Sequence, residues 1–218
     1  MGTKTGMIKA ARNNLGMTEH PPGSNHNAIT VWYNAHIAAI GDGAWCDMSV
    51  TKEAYDSGNE DAVLGGDGKG FAYVPAHMAW GKAKYGIHHG SVPPAGAVVG
   101  YRWDRAKGTT NCDHVGVCEK NNGDGTFYSL EGNIGDAFRR EHRDLTYVSC
   151  WFMPKYDNEE DDDVKLTDKV NSRGWTVGEC LQAAKQYTDT LEPSMAALLK
   201  KVDALTEKVD QLATKDAT

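Results

Sequence analysis

The strongest constraint on the fold is a change of hydrophobic period at Pro93-Pro94. Upstream, apolar residues recur at helical spacing. Downstream they fall into short stretches rich in Val, Tyr, Phe and Trp, bounded by Gly and Asn turns. Helices first and strands after do not make the alternating βαβ units of a parallel sheet, so the pattern predicts an α+β domain. The helical half reads as residues 4–15, with Ile8 and Ala11 on one face and Gly16 as a stop, then 27–40, with a stripe of Ile29, Trp32, Tyr33, His36 and Ile37. Two more helices are predicted over 46–57 and 75–85, the latter opened by Pro75 and closed by Gly86. Residues 19–25 and 59–70 read as loops. The strand half reads as 97–103, 114–118, 126–130, 137–141 and 147–153, with Asn122-Gly123-Asp124-Gly125 as a hairpin turn. This domain spans 1–156.

Charge divides the chain differently. Residues 1–157 carry 15 Lys+Arg against 17 Asp+Glu, net −2, and residues 158–218 carry 8 against 13, net −5. No basic stripe is visible, which argues against a nucleic-acid partner. No apolar run approaches membrane-spanning length, so no membrane insertion is expected. The polar start Met-Gly-Thr-Lys-Thr has no secretory core, which predicts synthesis in the host cytoplasm and release by other means. The acidic run at 157–163 cannot pack, so 157–165 reads as a linker and 166–218 as a C-terminal helical segment. Within that segment, apolar residues at 191, 195, 198, 202, 205, 209 and 212 step by four and three, a heptad seam over 191–213. Val202 and Val209 at a, with Leu198, Leu205 and Leu212 at d, favour a parallel homodimer; a single amphipathic helix docked elsewhere is the simpler alternative.

The five cysteines, at 46, 112, 118, 150 and 180, are odd in number and widely spaced, so no disulfide framework is expected. His77, His88 and His89 lack a third ligand at a usable spacing, and Asp61 and Asp67 match no calcium loop. Neither a metal nor a cofactor is expected. Cys46 stands apart, because it follows Gly41 and Gly43 and opens a helix. A cysteine there sits in the positive end of the helix dipole beside unpaired N–H groups, which stabilises a thiolate. A thiolate nucleophile needs a base. His114 begins a strand, and Glu131 comes seventeen residues later, beyond the hairpin turn. Cross-strand neighbours of this kind can place a carboxylate on one ring nitrogen and leave the other to face the thiol.

The same residues carry a resemblance. Trp45-Cys46-Asp47-Met48, Asp113-His114-Val115-Gly116 and Glu131-Gly132-Asn133, at separations of 68, 17 and 2 residues, resemble the CHAP family, the cysteine- and histidine-dependent amidohydrolase/peptidase domains. The likeness covers roughly residues 17–156, including the approach to the first strand at 94–99 and the pattern Arg139-Arg140 … Tyr147. It departs at Ala95-Gly96-Ala97, where many members have Pro-Gly-Asp. The resemblance implies a papain-like fold with N-terminal helices packed on an antiparallel sheet. It also implies cleavage of peptidoglycan, as amidase or endopeptidase, most often in a bacteriophage endolysin. Cys46 would be the nucleophile, His114 the general base and then acid, and Glu131 the orienting residue, with Asn133 sharing that third role. The partner would be the bacterial cell wall, reached after release. The competing expectation is a virion-associated or assembly protein whose heptad tail is the functional part and whose folded domain is inert.

Overall fold

The computed structural model describes residues 2–157. The chain divides into two units, Met1–Glu159 and Glu160–Thr218, and the helical segment and heptad seam lie outside the described residues. Five helices come first: α1 (Lys4–Arg12), α2 (Ala28–His36), α3 (Cys46–Asp56), α4 (Glu60–Val63) and α5 (Val74–Tyr85). Five strands follow: β1 (Val98–Tyr101), β2 (His114–Asn121), β3 (Phe127–Glu131), β4 (Arg139–Arg143) and β5 (Val148–Phe152). They form one antiparallel sheet in the order β4-β3-β2-β1-β5, so the domain is α+β. Among the described residues no helix is long and apolar enough to cross a membrane.

Helix ends follow local chemistry. α2 begins at a capping box: the Asn27 side chain accepts from the backbone N–H groups of Ile29 and Thr30, and the Thr30 hydroxyl accepts from the Asn27 N–H. It stops at His36 rather than near Ile40. Asn34 Oδ1 accepts from the N–H groups of Ile40 and Gly41, both at 2.8 Å, and draws that segment out of the helix. Of the expected stripe, Ile29 and Tyr33 are buried, Trp32 and Ile37 pack at the edge, and His36 is exposed. α1 ends at Arg12, three residues early, because Asn14 and Leu15 turn to carbonyls three residues back. The loop expected over 59–70 contains α4, whose Ala62 and Val63 are buried together with Leu64.

Two apolar layers sandwich the sheet. On one side Val98, Val115, Val117, Cys150 and Phe152 pack against Val50 and Ala54 of α3 and Met78 of α5. Val99, Tyr101, Phe127 and Trp151 form a second cluster with Val148, covered by Val92, Leu145, Tyr147 and Met153 from the connecting loops. β2 therefore runs through the middle of the domain, buried from His114 to Cys118. Its first residue is held at a fixed height relative to the helices.

The capping box is the local device that starts α2 and sets its approach to α3. Asn27→Ala is expected to destabilise the domain by about 1 kcal/mol and lower Tm by roughly 2–4 °C, read by thermal denaturation. An unchanged Tm would show that α2 is placed by packing alone.

Candidate active site

Cys46 is the first residue of α3. The N-cap position, Trp45, supplies no side-chain hydrogen bond to the first turn, so the amides around Cys46 are not capped by that side chain. Trp45 is fully buried, and its indole Nε1 donates to Glu19 Oε1 at 2.8 Å. That bond anchors the residue before the cysteine. Cys46 itself is nearly buried but lines an open cleft of about 290 Å3 with Tyr73, Val74, Asn111 and Asp113 among the other walls.

The Cys46 side chain lies close enough to His114 to help raise the pKa of its ring. On the far side of the ring, His114 Nε2 lies 2.9 Å from Glu131 Oε2. Since Nε2 is taken by the carboxylate, Nδ1 is the nitrogen left for the sulfur. Cys46, His114 and Glu131 thus come together in one place, and all three are almost wholly buried. Asn133, the fourth expected residue, follows the end of β3 in a left-handed conformation (φ 62°). It makes no hydrogen bond to Cys46, His114 or Glu131 among the described residues, because Glu131 already occupies the outer ring nitrogen.

The His114–Glu131 contact is not that of directly opposed strand residues. Val117 pairs with Leu130, so one step further along the ladder Glu131 faces Gly116, two residues from His114. The contact is a diagonal on one face of the sheet. Gly116 makes it possible: a Cβ there would lie 2.5 Å from Glu131 Cγ and 2.9 Å from the Leu130 carbonyl oxygen. Gly132 does the same for the helix, since a Cβ there would lie 2.6 Å from Ser49 Oγ and 2.9 Å from the Trp45 ring. The two glycines bring the end of β3 against both β2 and α3.

Arg143 completes the site and was not among the residues expected from the sequence. It pairs across β4–β3 with Phe127, yet its guanidinium reaches Glu131: Nε to Oε1 at 3.0 Å and an Nη to Oε2 at 2.7 Å. Arg143 lies two residues beyond the strand expected over 137–141, because β4 runs Arg139–Arg143. Burial disfavours the Glu131 carboxylate, but the bonds from His114 and Arg143 outweigh it and hold the group down at about 2. Burial likewise opposes a charged His114, and its interactions with Cys46 and Glu131 outweigh it, raising the ring from 6.5 to about 9. The ring is walled by aromatics: Trp103 stacks on it at 5.6 Å and Tyr101 tilts over it at 5.7 Å. The Tyr101 hydroxyl donates to Ser129 Oγ at 2.8 Å, and burial raises its pKa.

A second buried pair stands behind Cys46. Asp47 Oδ1 lies 2.6 Å from His77 Nδ1, and His77 Nε2 lies 2.9 Å from the Val63 carbonyl oxygen, with both side chains fully enclosed. Two ring nitrogens facing two acceptors require that the pair together hold two protons. The pair ties the first turn of α3 to α5. Phe71 stacks on His77 at 4.3 Å. His88, the next histidine in sequence, stacks on Trp151 at 4.2 Å.

Folding raises the affinity of His114 for its proton, so its contribution to stability is full below pH 6.5 and is lost as pH rises through about 9. Glu131 contributes above pH 4.5 and loses its contribution as pH falls toward about 2. Thermal stability is therefore expected to fall between pH 6.5 and 9 by on the order of 3 kcal/mol, and His114→Ala should flatten that slope. Arg143→Met should let Glu131 protonate more readily and pull the His114 titration below about 9, read by histidine NMR, with Arg143→Lys restoring part of it. An unmoved His114 titration in Arg143→Met would sink this account. Gly116→Ala should displace Glu131 and cost about 1–3 kcal/mol, with Tm and the His114 titration falling together. Compared with known protein families, with curated proteins and with solved structures, the chain finds no match.

Proposed function

We propose that the protein is a peptidoglycan hydrolase of the CHAP type, a bacteriophage endolysin that cuts an amide bond of the bacterial cell wall. The observation that carries this reading is the convergence of Cys46, which lines a cleft, with His114 and its bonded Glu131. A thiol, an imidazole and a carboxylate in that order make up the machinery of nucleophilic acyl transfer. The motifs around the three residues agree with it, and so does the helices-then-sheet architecture.

In this mechanism the Cys46 sulfur, as thiolate, attacks the carbonyl carbon of an amide lying in the cleft. The N–H of Cys46, in the uncapped first turn of α3, is placed to donate to the oxyanion. Protonated His114 gives its Nδ1 proton to the departing amine, and the C–N bond breaks to leave a thioester on Cys46. His114, now neutral, takes a proton from water, which attacks the thioester and releases the carboxylic acid. Glu131, clamped by Arg143, keeps the imidazole oriented and stabilises its positive form through both steps. Trp103 covers one face of the ring and limits the access of water to the His114–Glu131 bond.

Cys46→Ala is expected to abolish the loss of turbidity of susceptible cell walls while leaving the fold intact by circular dichroism. Walls cleared by that variant at the wild-type rate would remove Cys46 as nucleophile. Failure of the wild-type chain to clear walls from any species tested would remove the hydrolase reading itself.

A further inference from the structure

Four cysteines lie among the described residues, all buried and all free thiols. Cys46 belongs to the site described above. Cys118 is isolated: it donates to the Pro93 carbonyl oxygen at 3.3 Å, and burial pushes its thiol up to about 12, which leaves it unreactive. The other two meet. Cys112 Sγ and Cys150 Sγ lie 4.0 Å apart, although 38 residues separate them in the chain. Cys150 is on β5, and Cys112 is on the connection from β1 to β2, two residues before His114. Among the described residues no third His, Cys, Asp or Glu joins them to make a metal site.

A missing side chain makes the space for the two sulfurs. Gly100 of β1 pairs with Cys150 of β5 on one side and with Val115 of β2 on the other. A Cβ at Gly100 would lie 2.6 Å from Cys112 Sγ and 3.0 Å from Met78 Cε, so glycine leaves room for the second thiol beside the first. The pair is also short of acceptors. The Thr109 carbonyl oxygen faces three donors: Ser149 Oγ at 3.0 Å, Cys150 Sγ at 3.1 Å and Cys112 Sγ at 3.4 Å. A carbonyl has two lone pairs, so one thiol proton turns to the other sulfur. That contact favours a state in which the pair shares one proton. The bond from Cys112 lowers the pKa of Cys150 against burial, with help from the Lys82 ammonium; the same bond, together with burial, raises that of Cys112.

Cys112 is only 3% exposed, but it lines the Cys46 cleft between Asn111 and Asp113, and the cleft gives a small oxidant a way in. We propose that Cys112 and Cys150 are a redox modification site, where a peroxide converts the two thiols to a disulfide that reshapes the cleft beside Cys46. The thiolate of the pair attacks one peroxide oxygen, the O–O bond breaks, and hydroxide leaves and takes up a proton as water. The second thiol attacks the sulfenic sulfur so formed; the S–S bond forms, the S–O bond breaks, and a second water leaves. The two sulfurs lose two electrons and the peroxide gains them. To bond, the sulfurs must close from 4.0 Å to about 2 Å. β5 is held by its ladder to β1 and by the bridge between Trp151 and His88. The Cys112 segment is held by local turns, with the Cys112 N–H on the Thr110 carbonyl oxygen at 2.8 Å and the Asn111 N–H on Thr109 Oγ1 at 3.1 Å. The movement therefore falls on residues 109–113, which carry Asn111 and Asp113 of the cleft wall and run directly into His114.

The test uses the full chain and reads thiol chemistry, so it does not depend on the hydrolase reading. Wild-type protein is treated with a stoichiometric amount of hydrogen peroxide, digested without reduction and read by mass spectrometry. A cross-link between Cys112 and Cys150 that dithiothreitol removes is expected, with fragmentation separating Cys112 from Cys118. In the same sample, the rate constant for iodoacetamide alkylation of the Cys46 that remains a thiol is expected to fall about ten-fold and to recover with dithiothreitol, because a displacement of about 1 Å beside reacting groups is enough to slow them. Cys150→Ala and Cys150→Ser remove one sulfur outside the cleft, the serine keeping a donor for the Thr109 carbonyl oxygen. Both are expected to hold the untreated Cys46 rate before and after peroxide. No cross-link, or one made through Cys46, Cys118 or Cys180 instead, would overturn the proposal. So would a Cys112–Cys150 cross-link that leaves the Cys46 rate unchanged, or an equal fall of that rate in the Cys150 variants.

Discussion

A carboxylate with no exposed surface is the interaction on which the rest of the site depends. Glu131 is buried at the end of β3, and an isolated charge there would be several kcal/mol too costly to keep. It stays ionised because both oxygens are matched by donors, Arg143 on two points and His114 on one. Its negative charge in turn supports the positive charge of His114 against burial. Take away the guanidinium and the imidazole loses its reason to be charged; take away the imidazole and Glu131 holds only half its partners. The three groups are one electrostatic unit, and Cys46 is coupled to it through the ring.

The fold supplies what such a unit requires, which is fixed distances. Arg143, Glu131 and His114 come from three adjacent strands, whose ladder hydrogen bonds set their spacing. Cys46 comes from a helix packed across the sheet, and its place is set by Trp45, Gly132 and the buried Asp47–His77 pair. Trp45 and Asp47 flank Cys46, and Gly132 follows Glu131. Small residues, Gly116 and Gly132, stand where backbone and side chain come closest.

The surroundings of the catalytic chain are asymmetric, and the asymmetry is chemical as well as geometric. Tyr73, Asn111 and Asp113 line the cleft beside Cys46, and Trp103, Tyr147 and Arg105 stand on the other side of the ring. A thiol–imidazole couple by itself is indifferent to which half of a substrate lies on which side.

Much of this was legible in the sequence. The shift of period at Pro93-Pro94 fixed the α+β class, because burying one stripe of a helix and one face of a strand demands different spacings. A cysteine after two glycines and a histidine at a strand start are local patterns, and the helix from Cys46 and the strand from His114 form where those patterns put them. The hairpin turn brought Glu131 within reach for the same reason. Other features belong to the tertiary structure alone. Arg143 sits opposite Phe127 and reaches Glu131 only because a long side chain lies back along the sheet face, which no spacing rule encodes. Asn133 shares the motif of Glu131, but it lies past the strand end in a left-handed conformation, and among the described residues it makes no hydrogen bond to the His114 ring. Gly116 counts as more than a strand residue only once the register sets it opposite Glu131. Sequence determines which groups are present and how each stretch bends; the meeting of groups from distant stretches is decided by packing, since only there do side-chain length, register and burial act together.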